Sequence, residues 1–179
     1  MVQTNDVMTE SEQQDIFESW LSQHKGLLFK VIRAYAATLP DQDDLFQEIL
    51  LQVWRSIPKF RQESAVTTWL YRIALNTALK WNSKEQKYQE GRAPYVNMEY
   101  LLHEKEKPMD SRLAWLYEEI AGLHEVDRSL LLLLLDGFNY KEMAEILGIT
   151  ESNVGVKVHR IKKQMIDRSK NQNYNYHGI

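Results

Sequence analysis

From residue 14 to residue 37, Ile16, Phe17, Trp20, Leu21, Leu27, Leu28, Val31, Ile32 and Tyr35 recur at the three- and four-residue spacing of an amphipathic helix. The interruption His24-Lys25-Gly26 divides this stretch into two expected helices. Pro40 and Asp41, with Asp44 three residues on, mark another helix start, where carboxylates accept from free amides and suit the positive end of the dipole. That helix carries Leu45, Ile49, Val53 and Trp54 and should stop near Ile57-Pro58, because proline pushes the preceding residue out of the α region. Beyond a polar loop at 59–64, a long helix is expected with Val66, Leu70, Ile73, Thr77 and Trp81 on its core stripe.

After residue 83 the pattern gives way to charges, amides and the prolines Pro94 and Pro108, so 84–110 reads as a flexible linker. Periodicity resumes at Leu113, Leu116, Tyr117 and Ile120 and continues through the leucine run 130–135 to Asp136-Gly137, where glycine can take a left-handed cap. Residues 139–150 then read as a short capped helix, a turn at Gly148 and the Thr150 cap of a further helix, which is helix-turn-helix spacing. The pattern therefore predicts an all-α chain: a tail at 1–13, a helical bundle at 14–83, the linker, a second helical domain at 111–168 and a tail at 169–179. Nothing alternates long enough to make a sheet.

Charge changes this picture more than composition does. The net charge of −3 speaks against a uniformly basic nucleic-acid coat. Read in blocks, however, residues 1–50 carry −6, 51–92 carry +5, 93–150 carry −6 and 151–179 carry +4. Two basic segments thus alternate with two acidic ones, either as chance clustering on solvated faces or as two sites for polyanions. The absence of cysteine excludes disulfides, thiol catalysis and cysteine-ligated zinc, and fits an intracellular setting. No apolar run approaches a membrane span, and the N-terminus lacks the basic and apolar regions of a signal peptide, so a cytoplasmic protein without membrane insertion is expected.

In the last helix, Val154, Val158, Ile161 and Met165 form the core stripe. At 100° per residue the opposite face carries Ser152, Val156, His159 and Lys163, flanked by Asn153, Gly155 and Arg160. Ser152, Asn153, His159 and Arg160 can address base edges, Val156 a thymine methyl and Lys163 a phosphate. The central basic segment offers Arg61, Ser64 and Thr68 ahead of Trp69, then Arg72, Asn76 and Lys80 four residues apart, a combination suited to backbone phosphates and unstacked bases. Core packing is the competing reading for Trp69 and Tyr71, and a solvated face for Arg72 and Lys80. The acidic run Asp41, Asp43, Asp44 and Glu48 contains no histidine and sits at a helix start, so it reads as a protein-docking helix rather than a metal site.

Together these segments resemble RNA polymerase sigma factors of the sigma-70 family, in particular the extracytoplasmic-function (ECF) subfamily. The resemblance lies in Asp44-Leu45-Phe46-Gln47-Glu48 with Trp54, in Phe60-Arg61 and the run from Thr68 to Ala74 with Asn76, and in the helix-turn-helix ending Val158-His159-Arg160-Ile161. It implies that Asp44, Leu45, Gln47, Glu48 and Trp54 dock on the clamp of the polymerase largest subunit, with a second contact to the flap of the second-largest. It further implies that Arg61, Ser64, Thr68, Trp69, Arg72, Asn76 and Lys80 hold the melted −10 element, with one base flipped near 64–68 and Asn76. The helix after Thr150 would enter the −35 major groove, and the linker would thread toward the active-site and RNA-exit channel. An anti-sigma partner is also implied, and no cofactor. Gly155 departs from the pattern, standing where many members carry a basic residue, and Ser152-Asn153 replace a more usual Ser/Thr pair.

Two other function classes remain open on the sequence. A stand-alone helix-turn-helix regulator would bind a palindromic operator without polymerase. An enzyme would need a constellation that the five scattered histidines do not suggest, and no nucleophile elbow, phosphate loop or metalloprotease spacing is present.

Overall fold

The computed structural model describes residues 8–85 and 111–171, and all the regular structure among them is helical. Two compact units divide the chain, Met1–Lys105 and Glu106–Ile179. The linker expected at 84–110 lies outside the described residues, except that Lys84 and Glu85 still belong to a helix.

In the first unit, α1 (Glu10–Tyr35), α2 (Leu39–Ser56) and α3 (Val66–Glu85) pack against one another, with a 3-10 turn at Ile57–Lys59 after α2. Helix α1 starts inside the expected tail, on a capping box in which the Thr9 hydroxyl and the Glu12 carboxylate serve each other's backbone amides. It then runs unbroken through Gly26, where two helices were expected. An exposed glycine in a helix interior costs about 1 kcal/mol. Continuing the helix keeps Trp20 on one side of Gly26 and Leu28, Val31, Ile32 and Tyr35 on the other buried together, each contributing roughly 1.5–3 kcal/mol. Burial therefore outweighs the local break.

The start of α2 differs in a similar way. The cap is Thr38 rather than an aspartate: its hydroxyl accepts from the Asp41 amide at 3.3 Å and donates to the Asp41 carboxylate. Pro40 falls in the first turn, where its missing N–H removes no bond. The helix ends before Pro58, as expected.

The core stripe of α3 is rotated from the expected one. Leu70, Tyr71, Ala74, Leu75, Thr77 and Ala78 are buried, whereas Val66, Ile73 and Trp81 are half-buried. Ala74 and Ala78 are fully buried where α3 packs against α1 and α2, and Thr77 satisfies its hydroxyl by donating to the Ile73 carbonyl at 2.8 Å.

The second unit comprises α4 (Ser111–Ala121), α5 (Glu125–Leu135), α6 (Tyr140–Leu147) and α7 (Glu151–Asn171). The continuous helical stretch expected from Leu113 to the leucine run is broken at Gly122-Leu123-His124. Arg128 holds the break, donating from Nη2 to the carbonyls of Ala121 and, at 3.2 Å, Leu123, which α4 itself leaves without helical partners. Gly137 (φ +82°) ends α5. Asn139 and Glu142 form a capping box for α6, and Gly148 (φ +68°) closes it in the left-handed conformation. Ile120, Leu130, Leu133, Met143, Ile146, Val154, Val158 and Ile161 fill the core. Helix α7 reaches Asn171, so the expected tail at 169–179 begins as helix.

Candidate nucleic-acid interface

In the second unit, Thr150 caps α7 by accepting from the Asn153 amide at 3.2 Å. Val154, Val158 and Ile161 are buried and Met165 half-buried, which turns the opposite face outward. Ser152, Asn153, Val156, His159, Arg160 and Lys163 are all exposed on that face and its flanks, and Val156 is 68% exposed although apolar. Gly155 lies under the Tyr140 ring, and a methyl group at that position would meet the ring at 3.6 Å.

One member of this set has a partner that periodicity does not reveal. Asp127, in the first turn of α5, is buried, and its two carboxylate oxygens accept from Lys157 Nζ at 3.1 Å and from Arg160 Nη2. The Arg160 side chain remains 61% exposed, against 8% for Asp127. Farther along, Arg168 bonds Glu119 at 2.6 Å and ties the end of α7 to α4.

In the first unit, Arg72, Asn76 and Lys80 are exposed along α3 as one ridge, with Arg61 and Ser64 exposed in the preceding loop. Gln62 in that loop has φ +58°, the one non-glycine left-handed residue among the described residues and a conformation that stores local strain. Thr68 and Trp69 are half-buried. The Trp69 indole N–H donates to the Ser56 hydroxyl at 3.2 Å, and its ring packs on Phe60, which packs edge-on against Trp20. Tyr71 is a core residue.

Helix α2, the helix expected to dock a protein partner, presents Asp44 and Gln47 to solvent, with Glu48 and Trp54 half-buried. Leu45 is fully buried, so the direct partner contact expected of it is replaced by a role in the core. Beside Gln47 opens a shallow apolar cavity of about 350 Å³, lined by Gln14, Phe17, Gln47, Leu50, Leu51 and Trp54. Trp54 is held there by an edge-on contact with Phe17 and by its carbonyl, which accepts from the Gln13 side chain at 2.8 Å. Phe17 is marked by the sequence pattern only as an apolar position of the first helix, and Leu50 and Leu51 are not marked at all. The signal was available in Leu51, an apolar residue four positions after Gln47 and therefore on the same face.

Residues 20–88 match Sigma-70 region 2, and residues 113–165 match the Sigma-70 region 4 family. The chain belongs to the sigma-70 family. The RNA polymerase sigma factor YlaC of Bacillus subtilis is 30% identical over 132 residues, covering 68% of this chain and 73% of that one. The ECF RNA polymerase sigma-E factor of Escherichia coli K12 is 31% identical over 140 residues, covering 69% and 71%, which places this sigma factor in the ECF subfamily. Among solved structures, the sigma factor RpoE of Bartonella quintana, co-crystallised with the anti-sigma factor NepR, shares the fold at a TM-score of 0.64 and 19% identity, covering 86% of this sigma factor and 96% of that chain. CnrH in complex with the cytosolic domain of CnrY aligns at 0.63 and 18% identity, covering 88% and 89%. No described helix of this sigma factor is long and apolar enough to cross a membrane.

Proposed function

We propose that this ECF sigma factor binds core RNA polymerase in the cytoplasm and directs it to promoters through two DNA-reading surfaces. The exposed face of α7 enters the major groove of a −35 element, with Ser152, Asn153, His159 and Arg160 toward base edges, Val156 toward a thymine methyl and Lys163 toward a phosphate. Arg72, Asn76 and Lys80, with Arg61, Ser64, Thr68 and the exposed part of Trp69, hold the unpaired −10 strand and so shift a near-balanced opening equilibrium without nucleotide hydrolysis.

Asp44, Gln47 and Glu48, with Trp54 and the cavity beside it, form the polymerase-docking face, on the clamp of the largest subunit. Region 4 takes the flap of the second-largest. An anti-sigma factor covering these faces is the expected regulator; the similar sigma factor RpoE of Bartonella quintana is co-crystallised with the anti-sigma factor NepR. In this reading the units are region 2, taken as 14–83, and region 4, taken as 111–168, joined by the 84–110 linker. No cofactor is needed.

The observation that carries the proposal is the α7 face, which is polar, exposed and held rigidly from behind by Val154, Val158 and Ile161. Run-off transcription with core polymerase, followed by genome-wide mapping of start sites, tests it. Initiation from a restricted promoter set is expected. Absence of initiation above core enzyme alone, or tight binding to a palindromic operator without polymerase, would overturn it.

A further inference from the structure

Helix α7 carries several cations, but the structure treats Lys157 and Arg160 differently from the rest. Both converge on one buried carboxylate from another helix, Asp127, thirty and thirty-three residues away in sequence. Asp127 stands in the first turn of α5, where the helix dipole also favours a negative charge. Two cations therefore share one fixed anion. Lys157 lies beside the core stripe of α7, half-buried with its side chain 25% exposed, so it serves mainly as a counter-charge to Asp127. Arg160 is four-fifths of a turn farther on, toward the exposed face, and keeps a 61% exposed side chain while donating to Asp127 through Nη2. A guanidinium is a planar fork, so holding it at one end sets the plane in which its other donors are presented.

We propose that Asp127 is a positioning residue for promoter recognition: it touches no DNA itself, but orients the Arg160 fork at the edge of the groove-facing surface, with Lys157 compensating the second carboxylate oxygen. This inference rests on the reading of α7 as the −35 helix. An unanchored arginine would find phosphate or base edge by sampling many rotamers. An anchored one meets a given base pair in one geometry, so the anchor raises discrimination between −35 sequences.

The test uses the full chain with core polymerase on run-off templates whose −35 region is randomised. Discrimination is scored as the ratio of initiation between the sequences the wild type favours most and least. Asp127→Asn is expected to lower that ratio about tenfold, the worth of one well-placed arginine contact, when Arg160 is present. In the Arg160→Ala background the same Asp127→Asn change should lower it less than about twofold, since coupled residues are non-additive. A purely structural role for Asp127 would reduce the ratio equally in both backgrounds, and that result overturns the inference. Arg160→Lys, which keeps the charge and loses the fork, provides a check that does not depend on how the Asp127 variant folds. It should lose as much discrimination as Arg160→Ala, and full retention by Arg160→Lys would likewise overturn the proposal. If the wild type gives no transcript from any template, the sigma-factor reading itself fails and the inference with it.

Discussion

Helices α3 and α7 each carry a row of exposed polar and basic side chains, but what lies beneath the two rows differs. Under the Arg72-Asn76-Lys80 ridge are Leu70, Tyr71, Ala74, Leu75 and Ala78, buried among α1 and α2. Under the α7 face are three aliphatic side chains, and beside it a buried carboxylate paired with two cations and a further ion pair, Arg168–Glu119. Apolar burial fixes the backbone of a helix and leaves its outward side chains free to change rotamer. Ionic anchoring also fixes where a charged group points. The first arrangement suits an unpaired strand of irregular shape, the second a duplex groove of regular shape.

The sharpest way to break this comparison is to remove core volume from the first unit. Leu45→Ala should destabilise the protein by about 2–5 kcal/mol in chemical denaturation, because a fully buried leucine is lost from the bundle. Gln47→Ala, two positions on but exposed, should stay within about 0.5 kcal/mol of wild type while lowering polymerase affinity in a pull-down titration. Equal stability losses for the two would contradict the burial pattern.

In the second unit two helix caps can be removed one at a time. Asn139→Ala or Thr150→Ala should each cost about 1 kcal/mol, since each removes a side chain that accepts from a helix amide. Gly155→Ala should act in the opposite direction by about 0.5–1 kcal/mol, read as a higher Tm, because the added methyl makes ordinary contact with Tyr140.

The smallest effect belongs to the α1 capping box. Hydrogen bonds from the Thr9 amide and hydroxyl hold the Glu12 carboxyl below its ordinary range. A lowered folded-state pKa contributes stability above the unfolded value, about 4.3, and that contribution is lost as pH falls through the lowered value. The first turn of α1 should therefore fray in acid, seen as faster exchange at its amides. Glu12→Gln should remove that pH dependence.

Much of this architecture was readable from spacing: the end of α2 at Pro58, the turn at Gly148 with its caps, and both faces of α7 follow from short-range steric and hydrogen-bonding rules. The misreadings share a physical origin. Gly26 looked like a break because its local cost was visible and the distant burial that outweighs it was not. The break at 122–124 was hidden because Arg128, which satisfies the carbonyls there, comes from the following helix. The α3 stripe is rotated because alanines, weak signals of hydrophobicity, take two of its fully buried positions, Ala74 and Ala78. Asp127 is not marked by the sequence pattern because an ion pair between helices leaves no periodic trace.

Gly155 has a consequence for how this reader can change over generations. Its place beneath Tyr140 has room for a side-chain stem at ordinary contact distance, so the fold does not demand glycine there. A lineage could place alanine there at little folding cost and, on the proposed reading of α7 as the −35 helix, change the surface offered to the promoter. On that reading, the outer surface of α7 can change at this position while the scaffold stays the same.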